Sequence, residues 1–214
     1  YTVLGTALNL LATLPCAYAL SRRDMPDRGP ILALILFTMY FSGGMIPLYL
    51  LVRDLKLINT RWAMLLPNAM AVWNVIITRT YFQSSLPDEM LESANIDGCD
   101  DFRFLWKIAL PLSVPIIAVN VLLYAVGHWN SYFNALIYLN DNALYPLQLV
   151  LRDILIQDDT AGISMDVTKQ LEQQRLRYLL QYSTIVVATV PVAILYPFVQ
   201  KYFVSGIMVG AIKG

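Results

Sequence analysis

Charge is the first thing this sequence has little of. Of 214 residues only 14% are Asp, Glu, Lys or Arg, and the 15 of each sign cancel to zero. Soluble domains carry roughly a quarter charged residues. A chain that is 57% hydrophobic, with a mean hydropathy of +0.56, has the composition of a membrane protein. The balanced charge provides no basic footprint for nucleic acid. Cysteine is nearly absent too. Cys16 lies in an apolar stretch and Cys99 in a polar one, so both read as free thiols and no disulfide framework exists. One histidine and two distant cysteines exclude the usual zinc spacings. A phosphate-cradling loop ends in Gly-Lys followed by Ser or Thr. Lys56, Lys107, Lys169, Lys201 and Lys213 are followed by Leu, Ile, Gln, Tyr and Gly, so none fits. No nucleophile stands beside a base. Work done by this chain must draw on a partner or an ion gradient.

A basic signal-peptide start is also missing. The sequence opens at Tyr1 inside an apolar run. The expectation is that the true start lies upstream, with a further span.

Long apolar runs are what the sequence has in quantity. A helix needs about 20 mainly apolar residues to cross the hydrocarbon core. Five stretches qualify, at 1–20, 30–52, 62–82, 112–139 and 181–204, the third weakened by Asn68, Asn74 and Arg79. They predict one all-α, polytopic helical bundle over 1–214. Polar segments at 21–29, 53–61, 83–111 and 140–180 join them. Lys and Arg divide almost evenly between the two sets of loops, with a slight excess favouring 21–29 and 83–111 on the cytoplasmic side. Pro15, Gly43-Gly44, Pro47, Pro67, Pro115, Gly127, Pro191 and Pro197 lie within the spans. A broken backbone ladder in lipid must be satisfied by neighbouring protein or by water in a cavity. Close packing and a shaped pathway both fit that requirement.

The segment 92–111, ESANIDGCDDFRFLWKIALP, mixes carboxylates and a glycine with large apolar side chains. It predicts two short helices. Ser85 suits the N-cap of the first, Pro87 its first turn, and Asp88 and Glu89 the positive end of its dipole. Gly98 suits the left-handed position that ends it. Asp100 or Asp101 can cap the second helix, and Pro111 stops it. Phe102, Leu105 and Ile108 recur at helical spacing, with Phe104 beside them. That stripe can pack under the protein's own helix ends or dock in a groove on another protein.

Two further stretches carry chemistry. GHWNSYFN, at 127–134, puts His128, Trp129, Asn130, Tyr132 and Asn134 inside an apolar span. Polar groups at that depth face a bundle interior or a wet cavity. Aromatic rings with amide donors suit sugars, which present hydroxyls around an apolar ring face. The same groups also suit hydrogen bonding between helices, and His128 taken alone is a satisfied packing residue. Asn130 and Asn134, at i, i+4, make the best pathway pair. Trp73, Asn74 and Tyr40 are weaker candidates of the same kind. In 140–180, Leu147, Val150, Leu151, Ile154 and Leu155 form an amphipathic stripe, for the membrane interface or for the other spans. Asp158, Asp159, Thr160 and Gly162 form a polar tip beyond it.

The 92–111 segment resembles the EAA loop of ATP-binding-cassette importer permeases. Glu92-Ser93-Ala94, three residues, Gly98, nine residues, then Ile108-Ala109-Leu110-Pro111 reproduces that family's spacing. Asp97 and Pro115 also fit. Ser93 stands where the family usually has alanine, and Cys99 where it has another small residue. The chain looks most like the maltose-permease-like, carbohydrate-uptake branch, to which the terminus FVSGIMVGAIKG is similar. YPLQLVLRDIL, at 145–155, resembles a subgroup importing oligosaccharides or polysaccharide fragments, such as alginate- or pectin-derived chains.

The resemblance implies a type I importer permease fold with six spans in the full chain, in the bacterial cytoplasmic membrane. It implies that 83–111 is a cytoplasmic coupling loop held by an ATPase subunit through Glu92, Ser93, Ala94, Asp97, Gly98, Phe102, Phe104, Leu105, Ile108 and Pro111. The implied partners are a second, homologous permease chain, two ATPase subunits, a solute-binding protein and a carbohydrate. ATP and Mg would be bound by the ATPase subunits, with no cofactor in this chain. The extracytoplasmic loop at 140–180, with its polar tip, would meet the binding protein. The rival is a secondary transporter driven by an ion gradient. It calls for an intramembrane carboxylate that the central spans lack.

Overall fold

The computed structural model describes residues 1–160 and 167–211, and every regular element among them is helical. Helix α1 (Thr2–Ser21) is unbroken. At 1.5 Å per residue it is about 30 Å long, the thickness of a hydrocarbon core. It packs along both α5 (Val72–Ser85) and α9 (Val114–Trp129) to make a central three-helix unit. The last helix, α12 (Val167–Ala211), lies against α9.

The expected spans meet the structure unevenly. Thr2–Ser21 and Tyr178–Pro197 are each long and apolar enough to cross a membrane as a single helix. The 30–52 stretch divides into α2 (Arg28–Tyr40) and α3 (Met45–Asp54), bent by 112° at Gly43-Gly44. Gly44 has φ +87, a backbone state open to glycine at no steric cost. The 62–82 stretch is a short α4 (Trp62–Leu65), a non-helical passage around Pro67 and then α5. Proline cannot continue the helical ladder, and the residue before it is biased away from helix. The 112–139 stretch is α9, a break at Asn130-Ser131 and α10 (Tyr132–Tyr138).

The polar loop forms α6 (Asp88–Ile96), α7 (Asp101–Phe104), a π-helical turn (Leu105–Ala109) and α8 (Leu110–Leu112). Pro111 does not stop the helix as its sequence suggests. Its missing N–H and its ring disturb the carbonyl four residues back, Lys107, and the wider π turn sits at that point. The chain turns instead at Ser113, where α7–α8 meets α9 at 84°. Ser85 is the last residue of α5, so the residue preceding α6 is the extended Pro87.

The two ends of the bundle are tied differently. At one end Tyr1 Oη donates to the Leu144 carbonyl at 2.8 Å. Asn59, in the left-handed region at φ 60, accepts at Oδ1 from the backbone N–H groups of Asn140 and Asp141, both at 3.0 Å. Its own N–H donates to Tyr138. Helix α11 (Leu147–Thr160) follows at this end. Its buried contacts are Leu149 and Leu151, whereas Leu147, Val150 and Ile154 face outward. The expected stripe is therefore divided: among its described side chains Leu151 is buried and Leu147, Val150 and Ile154 are not, and the Leu155 side chain lies outside the described residues. At the other end, Leu14, Tyr18 and Leu20 of α1 and Phe82 of α5 form a core with Ala94, Phe104, Leu105 and Ala109 of the polar loop.

Candidate functional site

The polar loop is built around one glycine. Gly98 has φ +76, and the N–H of Cys99 bonds back to the Ala94 carbonyl at 2.9 Å while Gly98 N–H reaches Asn95. These two bonds satisfy carbonyls that the end of α6 leaves free, with the glycine taking the left-handed position that L-residues avoid. Asp100 then caps α7, its Oδ1 accepting from Arg103 N–H at 2.7 Å. The Asp97-Gly98-Cys99 bend thus has both of its flanking helix ends closed.

The apolar stripe of this loop divides between two faces. Phe104 and Leu105 are buried under the ends of α1 and α5, with Ala109 behind them and Ile108 packed against the same core. Phe104 stacks on Tyr18 at 6.2 Å, and Phe82 meets Tyr18 edge-on at 6.0 Å. Phe104 and Leu105 are therefore internal in this structure and are not groove anchors. Phe102 is 72% exposed and Ile96 87% exposed, and Trp106 lies 6.2 Å from the Phe102 ring. Glu92, Ser93, Asp97 and Pro111 are exposed, and Ala94 is buried. Glu92 and Ile96, four residues apart, share the outward face of α6.

Arg22, just past α1, was not singled out by its sequence. Its guanidinium donates through Nε and Nη2 to Asp24, pairs through Nη1 with Asp101 Oδ1 at 2.9 Å, and reaches Tyr18 Oη at 2.9 Å. The hydrogen bond from Arg22 holds the Asp24 carboxyl below its ordinary value. That same bond, against burial, raises Arg22 above its own. A depressed carboxylate keeps its charge down to the folded-state value, so the Arg22–Asp24 pair is fully charged throughout the neutral range.

A second site lies inside the bundle. Thr6, Asn9 and Thr13 on α1, Asn74 and Thr78 on α5, and Asn120 and His128 on α9 are all buried. Thr13 Oγ1 and Tyr124 Oη are 2.6 Å apart, and Tyr124 Oη also accepts from Ala71 N–H. Asn120 Nδ2 donates to Thr78 Oγ1 at 2.7 Å. Asn9 Nδ2 donates to the Asn68 carbonyl, which turns its Oδ1 to His128 Nε2 at 2.7 Å. The histidine must therefore carry its proton on Nε2 and donate it. A Cβ on Gly5 would collide with that imidazole ring, so glycine is what lets the ring lie against α1.

Above this seam is a cavity of about 270 Å³ lined by Asn9, Asn68, Asn74, His128, Ser131 and Asn134 among others. Of the 127–134 residues, Gly127, His128, Ser131 and Asn134 line it. Trp129 instead donates Nε1–H to the Ala188 carbonyl of α12 at 2.9 Å. Asn130 turns back to the Val126 carbonyl at 3.0 Å, and Tyr132 is exposed. The expected Asn130–Asn134 pairing fails because the helix breaks at Asn130-Ser131, which rotates the face beyond it. Trp73 and Tyr40 also point outward, while Asn74 lines the cavity. The signal for the seam was present as the i, i+4, i+8 series Asn120, Tyr124, His128. At the far loop, Asp158, Asp159 and Thr160 form the last residues of α11, and Gly162 lies outside the described residues.

Comparison with known proteins bears on both sites. Residues 3–209 match the family of binding-protein-dependent transport system inner membrane components. Protein LplC of Bacillus subtilis is 47% identical over all of this chain and 71% of its own length. The polygalacturonan/rhamnogalacturonan transport system permease protein YtcP of the same organism is 44% identical over all of this chain and 74% of its own. A solved bacterial ABC transporter involved in import of the acidic polysaccharide alginate superposes with a TM-score of 0.82 at 35% identity, covering 95% of this chain and 71% of that one. This chain belongs to the inner-membrane permease family of binding-protein-dependent ATP-binding-cassette importers, with their type I permease fold.

Proposed function

We propose that this chain is the permease subunit of an ATP-driven importer of oligosaccharides or polysaccharide fragments, embedded with several spans in the bacterial cytoplasmic membrane. The observation carrying this reading is the closed helix–Gly98–helix bend at one end of the bundle, in a chain 44% identical to a polygalacturonan/rhamnogalacturonan transport system permease. Residues 83–111 face the cytoplasm as the coupling loop, and 140–180 lies on the other side. Support comes from the two residues flanking α1, Tyr1, which bonds Leu144, and Arg22, which pairs with Asp101, one helix length apart.

In this reading Glu92, Ile96, Phe102 and Trp106 present the docking face to an ATPase subunit. The apolar groups lose water on docking, and each fully buried side chain contributes about 1.5–3 kcal/mol. ATP and Mg are bound by two such subunits. A second permease chain completes the pathway, and a binding protein delivers the saccharide, with residues 158–162 as its contact. Closure of the ATPase pair changes the position of both loops, which biases the bundle between its two openings. Amide, hydroxyl and imidazole groups line the cavity, and these suit a sugar's hydroxyls. No Asp or Glu occurs in α1, α5 or α9, which leaves a proton- or sodium-coupled cycle without its usual carboxylate. The test is purification of the tagged chain from its native membrane. Recovery of an ATP-binding-cassette ATPase with it supports the reading, and recovery of the intact chain alone opposes it.

A further inference from the structure

We propose that Arg22 is a positioning residue that fastens the coupling loop to α1 and so transmits loop movement into the bundle. This rests on reading 83–111 as the coupling loop. The Arg22 side chain is only 12% exposed, although it sits at a helix end among polar residues. It lies between two hollows of about 480 and 410 Å³, one bordered by Gln83, Pro87 and Asp88 and the other by Met25, Asp101 and Phe102. With space on both sides, the start of the second loop helix is held to α1 by the Arg22–Asp101 pair and the Phe104–Tyr18 stack, and Leu105 and Ala109 add apolar packing further along. Both contacts converge on one turn of α1, because Tyr18 Oη also accepts from Arg22.

The guanidinium geometry suits this task. Its planar fork engages Asp24 through two nitrogens and still presents Nη1 to Asp101, which a lysine ammonium cannot reproduce. Asp24 lies within two residues of Arg22 and fixes the fork, whereas Asp101 belongs to the moving element. From Arg22 the route inward is one continuous helix, with Pro15 inside it. Asn9, which holds His128 at the cavity, lies thirteen residues up the same α1, about 20 Å away at the helical rise. A rigid element joining two sites is a physical carrier of coupling when both sites bias its position. Displacement of Asp101 by the ATPase therefore tilts α1 at its foot and shifts Asn9 against His128 at its upper half.

The experiment uses the assembled complex with Cys16→Ala, Cys99→Ala and Val3→Cys in this chain, Val3 being exposed near the far end of α1. A spin label at position 3 is read without nucleotide and after trapping with MgATP and vanadate. The parent spectrum is expected to change on trapping. Arg22→Gln and Asp101→Asn should each reduce that change several-fold, with the ATPase still copurifying. The double variant should be no worse than either, Arg22→Lys intermediate, and Arg22→Asp with Asp101→Arg partly restored. A full parent-like change in Asp101→Asn, whose side chain is 67% exposed and so dispensable for folding, overturns the proposal even if Arg22→Gln fails to assemble. A parent complex that retains no ATPase overturns the coupling-loop reading itself, and this proposal with it.

Discussion

Two glycines do different work here, and each is exposed to a single substitution. At φ +76 Gly98 occupies a state that costs an L-residue about 1–2 kcal/mol, more for a β-branched one. Nothing lies within 4 Å of where its Cβ would be, so the penalty is conformational and not steric. Gly98→Val should leave the chain inserted while ATPase copurification is lost, because the angle between α6 and α7 changes. Normal copurification with that variant would remove the bend from the docking account. Gly5 is the opposite case, a helical glycine whose Cβ would meet the His128 ring. Overpacking of this kind costs about 1–3 kcal/mol. Gly5→Ala should lower the thermal midpoint in detergent, and His128→Ala in the same chain should recover part of the loss. Absence of that recovery would mean the ring is not the obstacle. Gly98 was legible in the sequence because its role is local, between a helix and its cap. Arg22 was not, because its partner Asp101 is distant along the chain and meets it only through the fold.

At the scale of elements, the informative case is the loop helix that straddles a π turn. Spacing alone put Phe102, Leu105 and Ile108 on one face. The turn at Leu105–Ala109 holds an extra residue, so Phe104, Leu105 and Ala109 face the bundle while Phe102 and Trp106 face out. The packing reading left open by the sequence holds on one side of this helix, and the other side is left exposed. Phe104→Ala should cost the chain about 3–5 kcal/mol, as large core truncations do. Phe102→Ala with Trp106→Ala should change stability by only about 0.5 kcal/mol, as surface changes do, yet reduce ATPase copurification clearly. Thermal unfolding and pull-down measured on the same preparations separate the two. Equal destabilisation by both sets would mean that the outward pair belongs to the core after all. The same re-phasing explains Asn130. Uninterrupted helix was the natural expectation for 112–139, and the break at Asn130-Ser131 left Asn134 in the cavity and Asn130 outside it.

At the scale of the molecule, the bundle is held by a polar seam because apolar contact drives little association inside lipid, where the surroundings are equally apolar. That seam, from Thr78 and Asn120 through Thr13 and Tyr124 to Asn9 and His128, connects the loop end to the cavity. Its class as a multispan permease was legible from composition, apolar runs and the 92–111 spacing. The seam was not, since its residues are scattered over three helices and only the fold aligns them. Asn134→Leu should lower saccharide uptake with assembly and basal ATPase activity retained, whereas Asn130→Leu should leave uptake unchanged. Equal effects would detach the cavity from the pathway. The central claim is that ATP, through partner subunits, drives a saccharide through this chain. The direct measurement is uptake of labelled polygalacturonan or alginate oligosaccharides into proteoliposomes holding this chain, its partner permease and its ATPase, with binding protein outside. The account predicts uptake that requires ATP within the ATPase compartment and disappears when Gly98→Val uncouples the loop. Uptake that persists without ATP and follows an imposed ion gradient would contradict it.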